Sequence, residues 1–266
     1  MKKRFIPIVI ILTFLTSALC GCSETATPTP TEPTTTTTQA AASEQESLPE
    51  GSLVVDFSQG KPNGFEIADG WTNGSIFNVT WRNKNVTFEN GRMQLVIDTD
   101  GKNKAIPYSG GEFRTTEFYG YGRYEVSMKA IKNDGVVSSF FTYTGPSDNN
   151  PWDEIDIEIL GKDTTKIQFN YFTDGVGEHE FIYDLGFDAS ESFHTYAFEW
   201  HKDKIIWFVD GEAVYTADEN IPSVKGKIMM NAWCGKDVDE WLKPFDDSKL
   251  PLTAEYERFS FIPFDE

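Results

Sequence analysis

Glu154, Asp156 and Glu158 alternate with Ile155, Ile157 and Ile159 in the run Trp152-Asp153-Glu154-Ile155-Asp156-Ile157-Glu158-Ile159-Leu160. Alternate side chains of an extended strand share a face, and β-branched isoleucine favours strand over helix. The isoleucines are expected to face a core, with the three acids together on the other side. Neighbouring carboxylates raise one another's proton affinity, which suits a site needing one acid ionised and another protonated. Along an ideal strand, positions 154 and 158 lie about 13 Å apart. Paired carboxyl groups that cleave glycosidic bonds stand about 5–5.5 Å apart for retention and about 6.5–9.5 Å for inversion. Two glutamates leaning together on a curved strand can close that gap, and the shorter, central Asp156 is placed to tune a neighbour. Spacing alone leaves three readings open: paired-carboxylate catalysis, a solvated acidic face, or a calcium site built from clustered oxygens.

The elements around this run are strands. Apolar and polar residues alternate from Arg123 to Ala130, and Tyr196, Phe198 and Trp200 share one face of the segment Thr195 to Trp200. Ile205 to Val209, Asp210-Gly211, and Glu212 to Thr216 read as a hairpin, with Asp-Gly suited to the positive φ of a type I′ turn. Long helical periodicity is absent. Many short strands between Gly, Pro, Asn and Asp turns predict an all-β, antiparallel β-sandwich with little helix.

The 266 residues are not expected to fold as one piece. Lys2, Lys3 and Arg4 precede the apolar run Phe5 to Cys20, the pattern of a secretory signal over residues 1–21. That run is short for a membrane span, which needs about 20 apolar residues. Its end, Leu19-Cys20-Gly21-Cys22, is similar to a bacterial lipoprotein signal, which implies lipidation of Cys22 and display on the outer face of the cell membrane, with plain secretion as the alternative. Residues 22–50, with Thr-Pro repeats and the run Thr34 to Thr38, have little apolar surface to offset the entropy of ordering, and read as a linker. The folded domain is expected over 51–266, a size that one sandwich can fill.

Formal net charge is −19, and the predicted signal carries only positive charge, so the mature chain would be more acidic still. Such a balance disfavours nucleic acid and other polyanions and leaves neutral polymers unaffected. Aromatic residues reach 14 %, including seven tryptophans. Of three cysteines only Cys234 falls in the domain, so no disulfide can form within it, and no catalytic signature surrounds that thiol.

Trp152 to Gly161 resembles the active-site strand of glycoside hydrolase family 16, in particular its bacterial lichenases, the endo-β-1,3-1,4-glucanases. Further blocks share the resemblance: Tyr119 to Gly122, Val137 to Pro146, Gly161 to Lys166, Leu185 to Ser190 and Phe193 to Phe198. It runs from about Phe57 to the C-terminus. It implies a jelly-roll (concanavalin A-like) sandwich with a concave substrate cleft and retaining hydrolysis of mixed-linkage β-glucan. It also implies Glu154 as nucleophile, Glu158 as general acid/base and Asp156 as an assisting carboxylate. Laminarinases of the family usually carry one more residue between the aspartate and second glutamate; Asp156 and Glu158 lack that bulge. Xyloglucan transglycosylases share the unbulged spacing and are the alternative enzyme. A glucan-binding module on the same sandwich would need neither Glu154 nor Glu158.

Substrate residues implied by the resemblance are Trp71, Asn73 and Phe77 in one block and Glu112 and Arg114 in another. Phe141, Tyr143, Trp152, Asn170, Glu180, Trp233 and Trp241 complete the set. Aromatic faces stack on sugar rings, and planar polar groups fix hydroxyls. Trp71 stands where many relatives have Tyr, Cys234 where Asn is common, and Val79 and Gly110 where many have a disulfide. Family members often bind structural calcium through an Asp in the last long strand. Here Glu257 occupies that place, so calcium is an expectation for structure only, and no cofactor is expected for catalysis. A monomer is expected.

Overall fold

The computed structural model describes residues 48–265. The predicted signal, Cys22 and nearly all of the predicted linker lie outside them.

Sixteen strands occur among the described residues. The first five are β1 (Leu53–Asp56), β2 (Phe65–Ile67), β3 (Val79–Trp81), β4 (Val86–Glu89) and β5 (Arg92–Thr99). The middle of the chain forms β6 (Tyr108–Thr115), β7 (Gly122–Lys129), β8 (Val136–Thr144), β9 (Asp153–Leu160), β10 (Lys166–Phe172) and β11 (Phe181–Asp184). Then come β12 (His194–Trp200), β13 (Ile205–Val209), β14 (Glu212–Ala217), β15 (Lys227–Cys234) and β16 (Leu252–Pro263). Among the described residues a four-residue α1 (Asp239–Leu242) is the only α-helix, and none of their helices is long and apolar enough to cross a membrane.

One layer runs β11-β10-β9-β8-β15-β6 and the other β5-β16-β7-β12-β13-β14. They are linked where β5 meets β6 at Asp98↔Ser109 and Thr99↔Tyr108. Neighbours along this path are antiparallel; β3 adds to β6 in parallel. This is the expected antiparallel, jelly-roll type of sandwich. The hairpin between β13 and β14 turns on Asp210 (φ 48°) and Gly211 (φ 86°), both in the left-handed region that a type I′ turn requires.

The core fills the space between the layers. Ile155, Ile157 and Ile159 are fully buried, as are Phe140 and Phe169 beside them. Facing them are Phe198, Trp207 and Phe259, with Phe140 at 6.1 Å from Phe198 and Phe169 at 5.6 Å from Trp207 between ring centroids. Each such side chain contributes about 1.5–3 kcal/mol by leaving water. Because side chains alternate, burying the isoleucines forces Glu154, Asp156 and Glu158 onto the outer face of their layer. Two polar ties reinforce the packing across layers: Trp207 Nε1 donates to the Asp156 carbonyl at 3.1 Å, and Tyr256 Oη to the Ser139 carbonyl at 2.9 Å.

Candidate active site

β9 lies between β8 and β10, and the registers build rows of side chains across the outer face. One row reads Gln168, Glu158, Ser139, Asn231 and Glu112 on β10, β9, β8, β15 and β6. The next reads Asn170, Asp156, Phe141, Met229 and Arg114, and a third Phe172, Glu154, Tyr143 and Lys227. Over these rows lies a cleft of about 1040 Å³ whose floor holds all three acids. Asp153 pins one end: its buried carboxylate accepts from the backbone N–H groups of Asp174, Ser223 and Val224 at 2.8–2.9 Å.

Each acid has its own partners. Glu154 Oε2 accepts the indole N–H of Trp152 at 2.5 Å, and the Asp156 carboxyl, when protonated, donates to Glu154. Glu158 Oε2 accepts from Gln168 Nε2 at 2.7 Å, and Gln168 Oε1 accepts from Trp241 Nε1 at 3.1 Å. Burial raises all three proton affinities. Glu154 is pushed up to about 7, its two donors holding it down and the charge of Glu112 adding to the rise. Glu158 reaches about 8, because the charges of Glu154 and Glu180 oppose its ionisation while only Gln168 favours it. Asp156 lies well above the usual carboxylate range, squeezed by burial and by Glu154 and Glu158 on either side. Glu154 has two donors on its carboxylate where Glu158 has one, so the geometry favours the anion at Glu154. Near neutral pH the strand can present one anion at Glu154 with protons on Asp156 and Glu158, the state that nucleophile-plus-acid chemistry requires.

The aromatic residues named from the sequence come together. Trp71, Phe77, Phe141, Tyr143, Trp152, Trp233 and Trp241 all line the cleft. Trp71 and Trp152 remain 40 % and 37 % exposed, enough to offer an open ring face to a ligand. The Arg114 guanidinium sits 5.1 Å over the Trp71 ring while Arg114 Nε donates to Glu66 at 2.6 Å. Trp152 stacks on Phe172 at 4.6 Å, and Phe77 lies 4.1 Å from Trp233. Asn73, Asn170 and Glu180 also line the cleft.

Glu112 does not. It is fully buried behind the wall, where Oε2 accepts from Asn73 Nδ2 at 2.7 Å and Asn231 Nδ2 at 3.4 Å. Burial pushes its carboxyl up. In this structure it orients two amides that face the cleft. Cys234 is buried too, its thiol pushed up by burial and its sulfur 3.7 Å from the Asn78 carbonyl, so it packs against the cleft wall without reaching in. Glu257 is held by Ser127 Oγ at 2.8 Å. Among the described residues no three His, Cys, Asp or Glu side chains gather to hold a metal ion, so Glu257 brings a single carboxylate and no side-chain cage for calcium.

Several cleft residues were not singled out in the sequence: Gln168, Phe172, Met229 and Asn231, with Asp148 and Lys227 paired at 3.2 Å on the rim. Gln168 and Phe172 share parity with Asn170 on β10, and Asn231 with Trp233 on β15. Alternation extended from one chosen residue would have found them.

Residues 73–250 match the model of glycosyl hydrolases family 16. A xylanase/beta-glucanase of Ruminococcus flavefaciens is 58 % identical over 211 residues, 77 % of this chain and 26 % of that protein. A beta-glucanase of Acetivibrio thermocellus is 55 % identical over 221 residues, 83 % of this chain and 65 % of that protein. The chain thus spans about a quarter of the first of these relatives and just under two thirds of the second. A crystal structure of a prokaryotic beta-1,3-1,4-glucanase (lichenase) derived from a mouse hindgut metagenome superposes with a TM-score of 0.78 at 52 % identity, covering 80 % of this chain and 99 % of that one.

Proposed function

Because the chain belongs to glycosyl hydrolases family 16, we propose that its cleft binds mixed-linkage β-glucan and hydrolyses the β-1,4 bonds that follow a 3-linked glucose, with retention of configuration. The observation that carries this reading is the face of β9, where Glu154 and Glu158 flank Asp156 on the floor of an aromatic-walled cleft. The lichenase superposition supports the substrate. In the first step Glu154, the anion of the set, attacks the anomeric carbon while Glu158 protonates the departing glycosidic oxygen. In the second, Glu158 takes a proton from water, which attacks the same carbon and releases Glu154. Asp156 keeps its proton and donates to Glu154, spreading the anion's charge. Trp71 and Trp152 supply ring faces for sugars, Phe77 lines the wall with the buried Trp233 packed behind it, and Asn73, Arg114, Asn170 and Glu180 supply hydroxyl partners. No metal or cofactor takes part in any step. Product analysis on barley β-glucan, laminarin and xyloglucan with one purified sample tests the assignment. Rapid conversion of the mixed-linkage polymer to short oligosaccharides is expected, and faster turnover of laminarin or xyloglucan would overturn it.

The same reading places the enzyme outside the cell. The basic-then-apolar start and Leu19-Cys20-Gly21-Cys22 support export and a lipid on Cys22, with residues 22–50 as the tether of a monomeric domain over 51–266. Calcium at Glu257 would be a stabilising ligand only.

A further inference from the structure

Trp241 sits in the short α1 turn, between a neighbour in the cleft wall and a polar partner on the floor. Its ring centroid lies 6.0 Å from that of Trp233, and Lys162 Nζ donates to its backbone carbonyl. Its indole N–H points to Gln168 Oε1 at 3.1 Å, and Gln168 Nε2 in turn points to Glu158 Oε2 at 2.7 Å. An indole N–H can only donate. The Gln168 atom beside it must therefore be the carbonyl oxygen, and the atom beside Glu158 must be the NH₂. A flipped amide would set two donors against each other at Trp241 and two acceptors at Glu158.

We propose that Trp241 is a positioning residue for the acid/base step: it locks the Gln168 amide in the orientation that donates to Glu158 Oε2, which leaves Oε1 as the oxygen that carries and delivers the proton. This rests on the role proposed for Glu158. An oxygen engaged by an N–H donor keeps its lone pair there, and a carboxylic O–H oxygen is the poorer acceptor, so the proton resides on Oε1. In glycosylation that proton passes to the glycosidic oxygen as the C1–O bond breaks, and the electron pair of that bond leaves with the aglycone. In deglycosylation Oε1 takes a proton from the water that bonds to C1, while the Glu154–C1 bond pair returns to Glu154. The donor on Oε2 also eases the ionisation needed before the second step. The charged and titratable groups facing Glu158 are Glu154 and Asp156 on its own strand and Glu180 from the segment before β11. β8 and β15 present Ser139 and Asn231, β10 presents Gln168, and among the described residues Lys162 donates to the Trp241 backbone rather than to Glu158, so the relay is the one stabiliser of the anion among these groups.

The test compares Trp241→Phe, Gln168→Leu and the double variant. Each pH profile of kcat/KM is measured on barley β-glucan and on an aryl β-glycoside of a 3-linked glucan oligosaccharide with a good leaving group. Phenylalanine keeps a ring for stacking and removes the donor. The upper limb of the profile should move to higher pH by about half to one unit in both single variants, since a hydrogen bond to the ionised form is lost. kcat on glucan should fall about tenfold, and the first step on the activated substrate should hardly change. The double variant should be no worse than Gln168→Leu, because one chain of bonds is broken once. Losses that add, or a rise in KM with the upper limb in place, would mean that Trp241 serves as a sugar platform alone and would overturn the proposal. Glu158→Ala is assayed alongside. Should it hydrolyse glucan at the parent rate, the role of Glu158 itself is wrong, an outcome separable from failure of the relay.

Discussion

Trp152 and Glu154 are two residues apart, and the indole of the first donates to Oε2 of the second at 2.5 Å while its ring stacks on Phe172. Phe172 is also the residue directly opposite Glu154 in the β9–β10 register. One aromatic thus serves two ends, a ring face for the cleft and a donor for the proposed nucleophile. Trp152→Phe preserves the stack and removes the donor. A donor favours the anion, so its loss raises the proton affinity of Glu154 above its present value of about 7. As the proposed nucleophile Glu154 has to be ionised, so the acid limb of kcat/KM should shift upward by about one unit, and activity below neutrality should fall about tenfold. An unmoved acid limb would separate Trp152 from the charge of Glu154.

The two glutamates are distinguished by stereochemistry. Glu154→Ala should lose essentially all hydrolysis, and azide should rescue it with inverted product, since the anion enters from the vacated face. Glu158→Ala should still accept an aryl glycoside with a good leaving group, and azide should give a retained product. Reversed stereochemistry would exchange the two roles.

Asp156 donates to Glu154 from a carboxyl that burial keeps protonated. Asparagine at this position still offers an N–H donor, and alanine offers none. Asp156→Ala should fall about tenfold or more below Asp156→Asn in kcat, the scale of one hydrogen bond to a charged group. Equal rates would show that the donor does not matter.

Stability records the cost of the floor. Glu158 holds its proton up to about 8, against an ordinary value of 4.5. Across that window the unfolded chain releases its proton first, so stability falls as pH rises, and the contribution is level below and above it. Glu158→Gln removes the part of this dependence that Glu158 contributes, while Glu154 and Asp156, also raised by burial, keep theirs. In thermal melts its gain in Tm over the parent should be near zero at about pH 4 and grow to about pH 8. A gain independent of pH would point to packing instead.

Much of the site is legible without coordinates, because a strand has a period of two. Once Ile155, Ile157 and Ile159 are assigned to the core, Glu154, Asp156 and Glu158 have only one face left. The hairpin at Asp210-Gly211 is equally local, since only a few residue types tolerate positive φ at both central positions. What the sequence alone left open was catalysis against a solvated face or calcium, and the resemblance of the surrounding blocks decided it.

Partnership across strands is a different matter. That Gln168 rather than Asn170 meets Glu158 depends on the β9–β10 register, and that Trp241 reaches Gln168 depends on where α1 packs, some 73 positions along the chain. Glu112 shows the same limit: the resemblance marks it for substrate, and the fold buries it behind Asn73 and Asn231. Residue types and spacing along one strand determined which groups could react. Proton affinities and donors come from burial and from contacts between distant segments, so only the tertiary structure decided which donors each acid meets and what holds each in place.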